Sequence, residues 1–211
     1  MLSNDEHNTM TLLLDDKLRG QNWFDSDEQF NRIFPHSIQY QSSRHWTPLE
    51  VVRKAANFLA VEKNTRILDI GSGPGKFCLG AAHFRPNAHF LGIEQRESLV
   101  QYADHAKQKL GLSNASFMHG NFTQLDFKDY HHFYFYNSFY ENLAFADKID
   151  NSIDYSGELY EYYAHYLFRQ LERMPGGTRL ATFHSLEDEI PSDYHVVGIE
   201  MDNLLKFWIK V

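Results

Sequence analysis

Asp69 and the glycines at 71, 73 and 75 lie in the stretch RILDIGSGPGKFCLG, residues 66–80. A short apolar run ends in an acid, three glycines alternate with other residues, and a helical apolar pattern follows. Glycines let a backbone bend tightly and approach a ligand with no Cβ in the way. A turn of this kind holds a cofactor, and the spacing discriminates among cofactors. The dinucleotide fingerprint needs a small residue three positions after its second glycine; from Gly73 that position is Lys76, which opposes close helix–strand packing. A phosphate-cradling loop needs Gly-Lys-Ser/Thr, and GPGKF lacks both the hydroxyl and the first glycine. A ribose with two free hydroxyls calls for a carboxylate at the end of the next strand, and HFLGIEQRESL supplies Glu94, nineteen positions after Gly75.

LDIGSGPGKF resembles motif I of the class I S-adenosylmethionine-dependent methyltransferases, with Asp69 as the acid at the end of the first strand. The resemblance implies S-adenosyl-L-methionine as the cofactor. It implies that Asp69 helps hold the methionine ammonium, often through water, and that the loop Gly71, Ser72, Gly73 and Gly75 lies along the methionine portion. The family commonly has Gly-Asp at the end of its third strand, bonding the adenine amino group. Here Gly120-Asn121-Phe122 stands there, and Asn121 can do the same through its carbonyl oxygen; the structural alternative is an Asn serving a turn. Phe122 or Gln95 would flank the adenine. The stretch SSRHWTP, residues 42–48, often caps the methionine end in related enzymes, which makes Arg44, His45 and Trp46 candidates for cofactor contact or a lid.

FLGIEQRESLVQYA, GNF and FYFYNSFYENL are also similar to the Dot1-like lysine methyltransferases, which combine a Gly-(Val/Ile)-Glu-(Leu/Gln)-Arg strand end with a later Asn-Asn-Phe. Here Asn137-Ser138-Phe139 corresponds, with Ser138 in place of the second Asn, and that family's upstream substrate-binding loop is not found. The likeness points to methyl transfer far more than to a lysine target. Methyl transfer from a sulfonium is an in-line displacement, so positioning the nucleophile does most of the work. Asn137 carries an amide oxygen that can accept a hydrogen bond from a target amine and aim its lone pair. Tyr136 and Tyr140 would line the acceptor site, where aromatic faces favour a cationic methyl centre. The structural alternative is an aromatic strand packed into the core and ended by Asn137.

These residues need strand ends to hold them. Apolar patterning gives strand 66–70, helix 75–85, strand 89–94, helix 97–110, strands 115–119 and 131–137, helix 157–173, strand 178–184, and a hairpin of 194–200 with 204–210. Strands separated by helices imply crossovers and a parallel sheet. The expected fold is therefore a doubly wound α/β sheet of seven strands, mostly parallel, with an antiparallel C-terminal strand. Before it, TPLEVVRKAANFLA reads as a helix with Thr47 as N-cap, Pro48 in the first turn and Glu50 completing a capping box. DEQFNRIF reads as a helix stopped by Pro35, and HSIQYQSSRHW as loop. The chain is read as one domain, with residues 1–45 as an N-terminal segment and candidate lid and 46–211 as the core.

The chain has 211 residues, 17 Phe, 12 Tyr, one Cys and a net charge of −8. A surface negative on average repels phosphates, and no Lys/Arg cluster reverses this, so nucleic acid is disfavoured as a partner. A small molecule or a protein is then the expected acceptor. The lone Cys78 and the four-residue apolar run Thr11–Leu14, too short for a signal or a membrane span, make cytoplasmic residence the default. No His/Cys/Asp spacing suggests a metal site. Lys76 reads as a solvated first-turn lysine. The competing function is a non-catalytic cofactor-binding or scaffold protein on the same fold.

Overall fold

In the computed structural model the described residues are 22–185 and 189–211. The run Thr11–Leu14 lies outside them. Short runs rich in apolar residues form β1 (Arg66–Ile70), β2 (His89–Glu94), β3 (Ala115–His119), β4 (His132–Phe135), β5 (Arg179–Phe183), β6 (Tyr194–Glu200) and β7 (Leu205–Lys210). Between and before them stand α1 (Asp27–Asn31), α2 (His36–Gln39), α3 (Leu49–Leu59), α4 (Lys76–Phe84), α5 (Glu97–Leu110) and α6 (Gly157–Glu172). The sheet order is β3-β2-β1-β4-β5-β7-β6. The strands β1 to β5 pair in parallel, and β7 runs antiparallel between β5 and β6. This is the class I methyltransferase topology.

Alternation along β4 shows how the sheet divides its two faces. Tyr134 packs with Val52, Leu59, Phe77 and Phe90 beneath α3 and α4. Phe133 and Phe135 point the other way, into a cluster with Leu68, Phe127, Leu167 and Leu171 under α6. Helices α3 and α6 thus bury apolar stripes of helical period, while α4 is buried at almost every position. A third cluster fixes the N-terminal segment: Phe24, Phe30, Phe34, Ile38 and Trp46 pack on Leu49, Leu79 and Ala106. It holds residues 24–46 against α3, α4 and α5.

The start of α3 differs from the capping-box expectation. Pro48 is the N-cap residue and makes no side-chain cap bond. The Leu49 N–H instead donates to Asp27 Oδ1 at 3.0 Å, and Thr47 Oγ1 pairs with Tyr134 Oη at 3.1 Å. An acid from α1 has taken the role that Thr47 would fill. The stretch read as loop contains α2 and a 3-10 turn at Tyr40–Ser43. Within these two turns only Ile38 and Gln41 are buried, too few apolar residues to show helical periodicity.

Candidate functional site

A cavity of about 680 Å³ opens at the carboxyl ends of β1, β2 and β4. Its floor is the glycine turn, whose three glycines all have positive φ. The turn is locked to β2 because Gly71 N–H and Ser72 N–H both donate to Ile93 O at 3.0 Å. The glycines serve different ends. A Cβ on Gly71 would lie 2.5 Å from Ser138 Cβ, and one on Gly75 would lie 2.4 Å from the Phe117 ring. A Cβ on Gly73 would meet nothing within 4 Å, because Gly73 faces the cavity. Gly75 does not line the cavity; it begins α4 and lets the helix close on β3.

Glu94 stands at the tip of β2, buried, with its carboxylate at the cavity wall. Its Oε2 accepts Gly73 N–H at 3.0 Å and its Oε1 accepts Arg96 N–H at 2.9 Å. Burial pushes its carboxyl above the usual range, against the opposing charge of Arg96. Four lone-pair directions less these bonds leave room for hydroxyl donors. Gln95 and Phe122 line the same wall.

Asp69 lies deeper, at a small recess it shares with Trp46, Thr47, Ser72 and Tyr134. Burial pushes its carboxyl up to about 8, although the Cys78 thiol donates to Oδ2 at 3.5 Å. In the same recess Ser72 Oγ and Trp46 Nε1 are buried polar atoms with no hydrogen-bond partner among the described residues. Unpaired buried groups are costly unless a ligand or water meets them. The recess therefore fits the charged end of an amino acid beside an open glycine backbone and a ribose-directed carboxylate. These features fit S-adenosylmethionine: Asp69, Ser72 and Trp46 for its methionine end, the Gly73 backbone along its length, and Glu94 for its ribose.

Asn121 is placed differently from its expected adenine role. Its Oδ1 already accepts Thr123 N–H and Thr123 Oγ1–H, at 3.0 and 2.9 Å. Its amide nitrogen donates to Gln95 Oε1 and Tyr163 Oη, at 3.0 and 2.8 Å. Asn121 is a capping residue outside the cavity lining, and through Gln95 it fixes a side chain that does line it. Lys76 is buried rather than solvated. Its ammonium donates to Asp27 and to Asn31 Oδ1, and it lies 6.0 Å from the Trp46 ring.

On the far wall Asn137 follows β4 with φ +42, a conformation that Asn tolerates better than most residues. Its side chain lines the cavity and makes no hydrogen bond among the described residues. Ser138 Oγ donates to Ile70 O, which ties the end of β4 to the glycine turn. Tyr140 and Phe145 form an exposed aromatic rim, ring centroids 5.7 Å apart. Arg44 and His45 reach the cavity from the N-terminal segment, and Tyr136 Oη donates to Arg44 O at 3.0 Å.

Sequence reasoning missed Arg96, Glu141, Tyr155 and His184, all of which line the cavity. The Arg was visible beside Glu94, but its partners lie 45 to 59 residues further on. His131 and His132 are structural: their Nδ1 atoms accept Arg66 N–H and Arg179 N–H. Among the described residues no group of His, Cys, Asp and Glu could hold a metal, and no helix is long and apolar enough to cross a membrane.

Comparison with known proteins agrees with this geometry. Residues 61–156 match a family model described as a methyltransferase domain. A stretch of 54 residues is 50% identical to the tRNA (guanine-N(7)-)-methyltransferase of Microcystis aeruginosa, covering 26% of each chain. The chain thus spans about a quarter of the length of the curated relatives it matches. Among solved structures, a methyltransferase from Geobacter sulfurreducens aligns over 97% of this chain and 98% of its own, with TM-score 0.62 and 12% identity. An RNA methyltransferase from Salinibacter ruber, solved with S-adenosyl-L-homocysteine, aligns over 78% and 92%, with TM-score 0.55 and 20% identity. The relatives correct one expectation. Proteins named for tRNA and rRNA methylation share this segment, so a net charge of −8 does not disfavour a nucleic acid acceptor. Mean charge is a poor guide because an RNA meets a local surface rather than the average one. Residues 61–156 thus match a methyltransferase domain, and the strand order is that of the class I S-adenosylmethionine-dependent methyltransferase fold.

Proposed function

We propose that this protein transfers a methyl group from S-adenosylmethionine to an RNA acceptor. One observation carries the reaction type: Gly73, Glu94 and Asn137, from three different strand ends, line a single cavity. The relatives named for tRNA and rRNA methylation support the acceptor class. The cofactor supplies an already activated methyl group, so the protein's contribution is placement. Glu94 and the glycine backbone fix the donor's position, and Asp69 matches its ammonium. Asn137, unengaged at the opposite wall, accepts a hydrogen bond from the incoming nucleophile and orients it. Tyr140 and Phe145 offer faces on which a planar base stacks as it enters.

The direct test is incubation with tritiated S-adenosylmethionine and, separately, purified tRNA, rRNA and total protein. Label in nuclease-sensitive material is expected; label confined to protein would overturn the acceptor class.

Asn137→Ala tests the acceptor side. Turnover should fall about ten- to a thousandfold, the range for one well-placed donor or acceptor in a dry site, while cofactor affinity and melting temperature barely change. Parallel loss of cofactor binding and melting temperature would make Asn137 scaffold only.

Asp69 gives a pH dependence of cofactor binding. In the ligand-free protein burial pushes its carboxyl up to about 8, so it is largely protonated at pH 7. A ligand ammonium favours the ionised form, so binding releases a proton and affinity rises with pH until about 8, then levels. Calorimetry in buffers of different ionisation enthalpy should show up to one proton released near pH 7. Asp69→Asn should abolish it. A wild-type protein that releases none would remove Asp69 from the ammonium site.

A further inference from the structure

Arg96 is buried, and one guanidinium meets groups from both halves of the cavity. Its Nη1 lies 3.5 Å from Glu94 Oε1 on the cofactor side. Its Nη2 donates to Glu141 and, at 2.6 Å, to Tyr155 Oη; its Nε donates to Asp150 Oδ1 at 3.2 Å. Glu141, Asp150 and Tyr155 belong to the connection after β4, which has no long helix before α6 and forms the cavity's outer wall. The connection is knitted to the same hub. Tyr155 Oη donates to Asp150 O at 2.7 Å, and Ile149 N–H to Glu141 Oε1 at 3.3 Å.

We infer that Arg96 is a positioning residue coupling the cofactor's ribose subsite to the wall formed by residues 141–155. The inference rests on the reading of this cavity as the methyl-transfer site.

The physical argument is one of shared charge. Three carboxylates, those of Glu94, Glu141 and Asp150, draw on a single buried cation. The Glu94 contact is the longest of the three and the least directed. When hydroxyl donors satisfy Glu94, its demand on the guanidinium falls and Arg96 can commit to Glu141 and Asp150. The wall then tightens as the donor binds. By reciprocity, weakening the wall must weaken cofactor affinity, although no wall residue need touch the ribose. A lysine cannot substitute, because one ammonium cannot span the fork-shaped set of partners.

The experiment measures S-adenosylhomocysteine affinity by calorimetry, and amide hydrogen exchange of residues 141–155 with and without that ligand. Wild type, Glu141→Gln, Tyr155→Phe and Arg96→Lys are compared. In wild type the ligand should slow exchange across 141–155 severalfold. Glu141→Gln and Tyr155→Phe should lose most of that ligand-dependent slowing and bind S-adenosylhomocysteine about three- to tenfold more weakly. Arg96→Lys should lose all of it. A purely structural Arg96 would raise exchange equally with and without ligand. Tyr155→Phe, which removes one hydroxyl, keeps the test usable if a charge change impairs folding. Wild type that fails to bind S-adenosylhomocysteine would sink the cofactor reading itself. Wild type that binds, with variants showing unchanged affinity and unchanged ligand-dependent slowing, would overturn the coupling alone.

Discussion

Glu94→Ala is expected to weaken S-adenosylhomocysteine binding by about 3 kcal/mol, on the order of a hundredfold in dissociation constant. The variant removes a charged acceptor for two ribose hydroxyls in a buried site, where no water replaces it cheaply. It also frees Gly73 N–H, while the Gly71 and Ser72 bonds to Ile93 O keep the glycine turn on β2. Arg96 is not stranded, because Glu141 and Asp150 remain. The fold should therefore survive, and melting temperature should move far less than affinity. Glu94→Gln keeps the shape and one acceptor oxygen and should fall between. Calorimetry giving wild-type affinity for the alanine variant would take Glu94 out of the site.

The second large effect separates the roles of two glycines that stand only two positions apart in the chain. Gly73→Ala places a methyl in open space, so its cost to folding is about 1 kcal/mol for the positive φ. That methyl would stand where the ligand must meet backbone, and affinity for S-adenosylhomocysteine should drop tenfold or more. Gly75→Ala drives a methyl into the Phe117 ring and Ala103, at the same backbone penalty. Its stability loss should be about 2–4 kcal/mol, lowering the melting temperature by roughly 5–15 °C. The two measurements, thermal unfolding and calorimetry, are expected to dissociate in opposite directions. A Gly73 variant that binds normally, or a Gly75 variant of full stability, would break the distinction.

The sheet was legible in the sequence because each strand is a short apolar run bounded by turn residues, and β1, β2 and β3 have the expected limits. Strand β4 is shorter than expected because Asn137 turns to positive φ and Tyr136 is held by the backbone of Arg44. Asp69, Gly73 and Glu94 could be read from the sequence because local strand-end geometry alone determines their place. Asn121 could not, because its partners Gln95 and Tyr163 come from elsewhere in the chain. The same holds for Lys76: nothing near it reveals that an acid 49 residues earlier will reach it. Spacing reports contacts within an element, and these contacts are made between elements.

Lys76 also says where this protein can and cannot be cut. The match to the family model begins at residue 61, yet the ammonium at the first turn after the glycines is paired with Asp27, hydrogen-bonded to Asn31 and shielded by Phe30 and Trp46. Severed from them, the ammonium loses its partners and its cover together, and Leu79 and Ala106 lose the apolar layer that residues 24–46 lay on them. Asp27 at the same time caps the start of α3 by accepting Leu49 N–H. One carboxylate thus serves as keystone for two helices on which the donor cradle rests. The matched segment and the physical module have different borders, and any graft of this cradle onto another scaffold has to carry its distant acid with it.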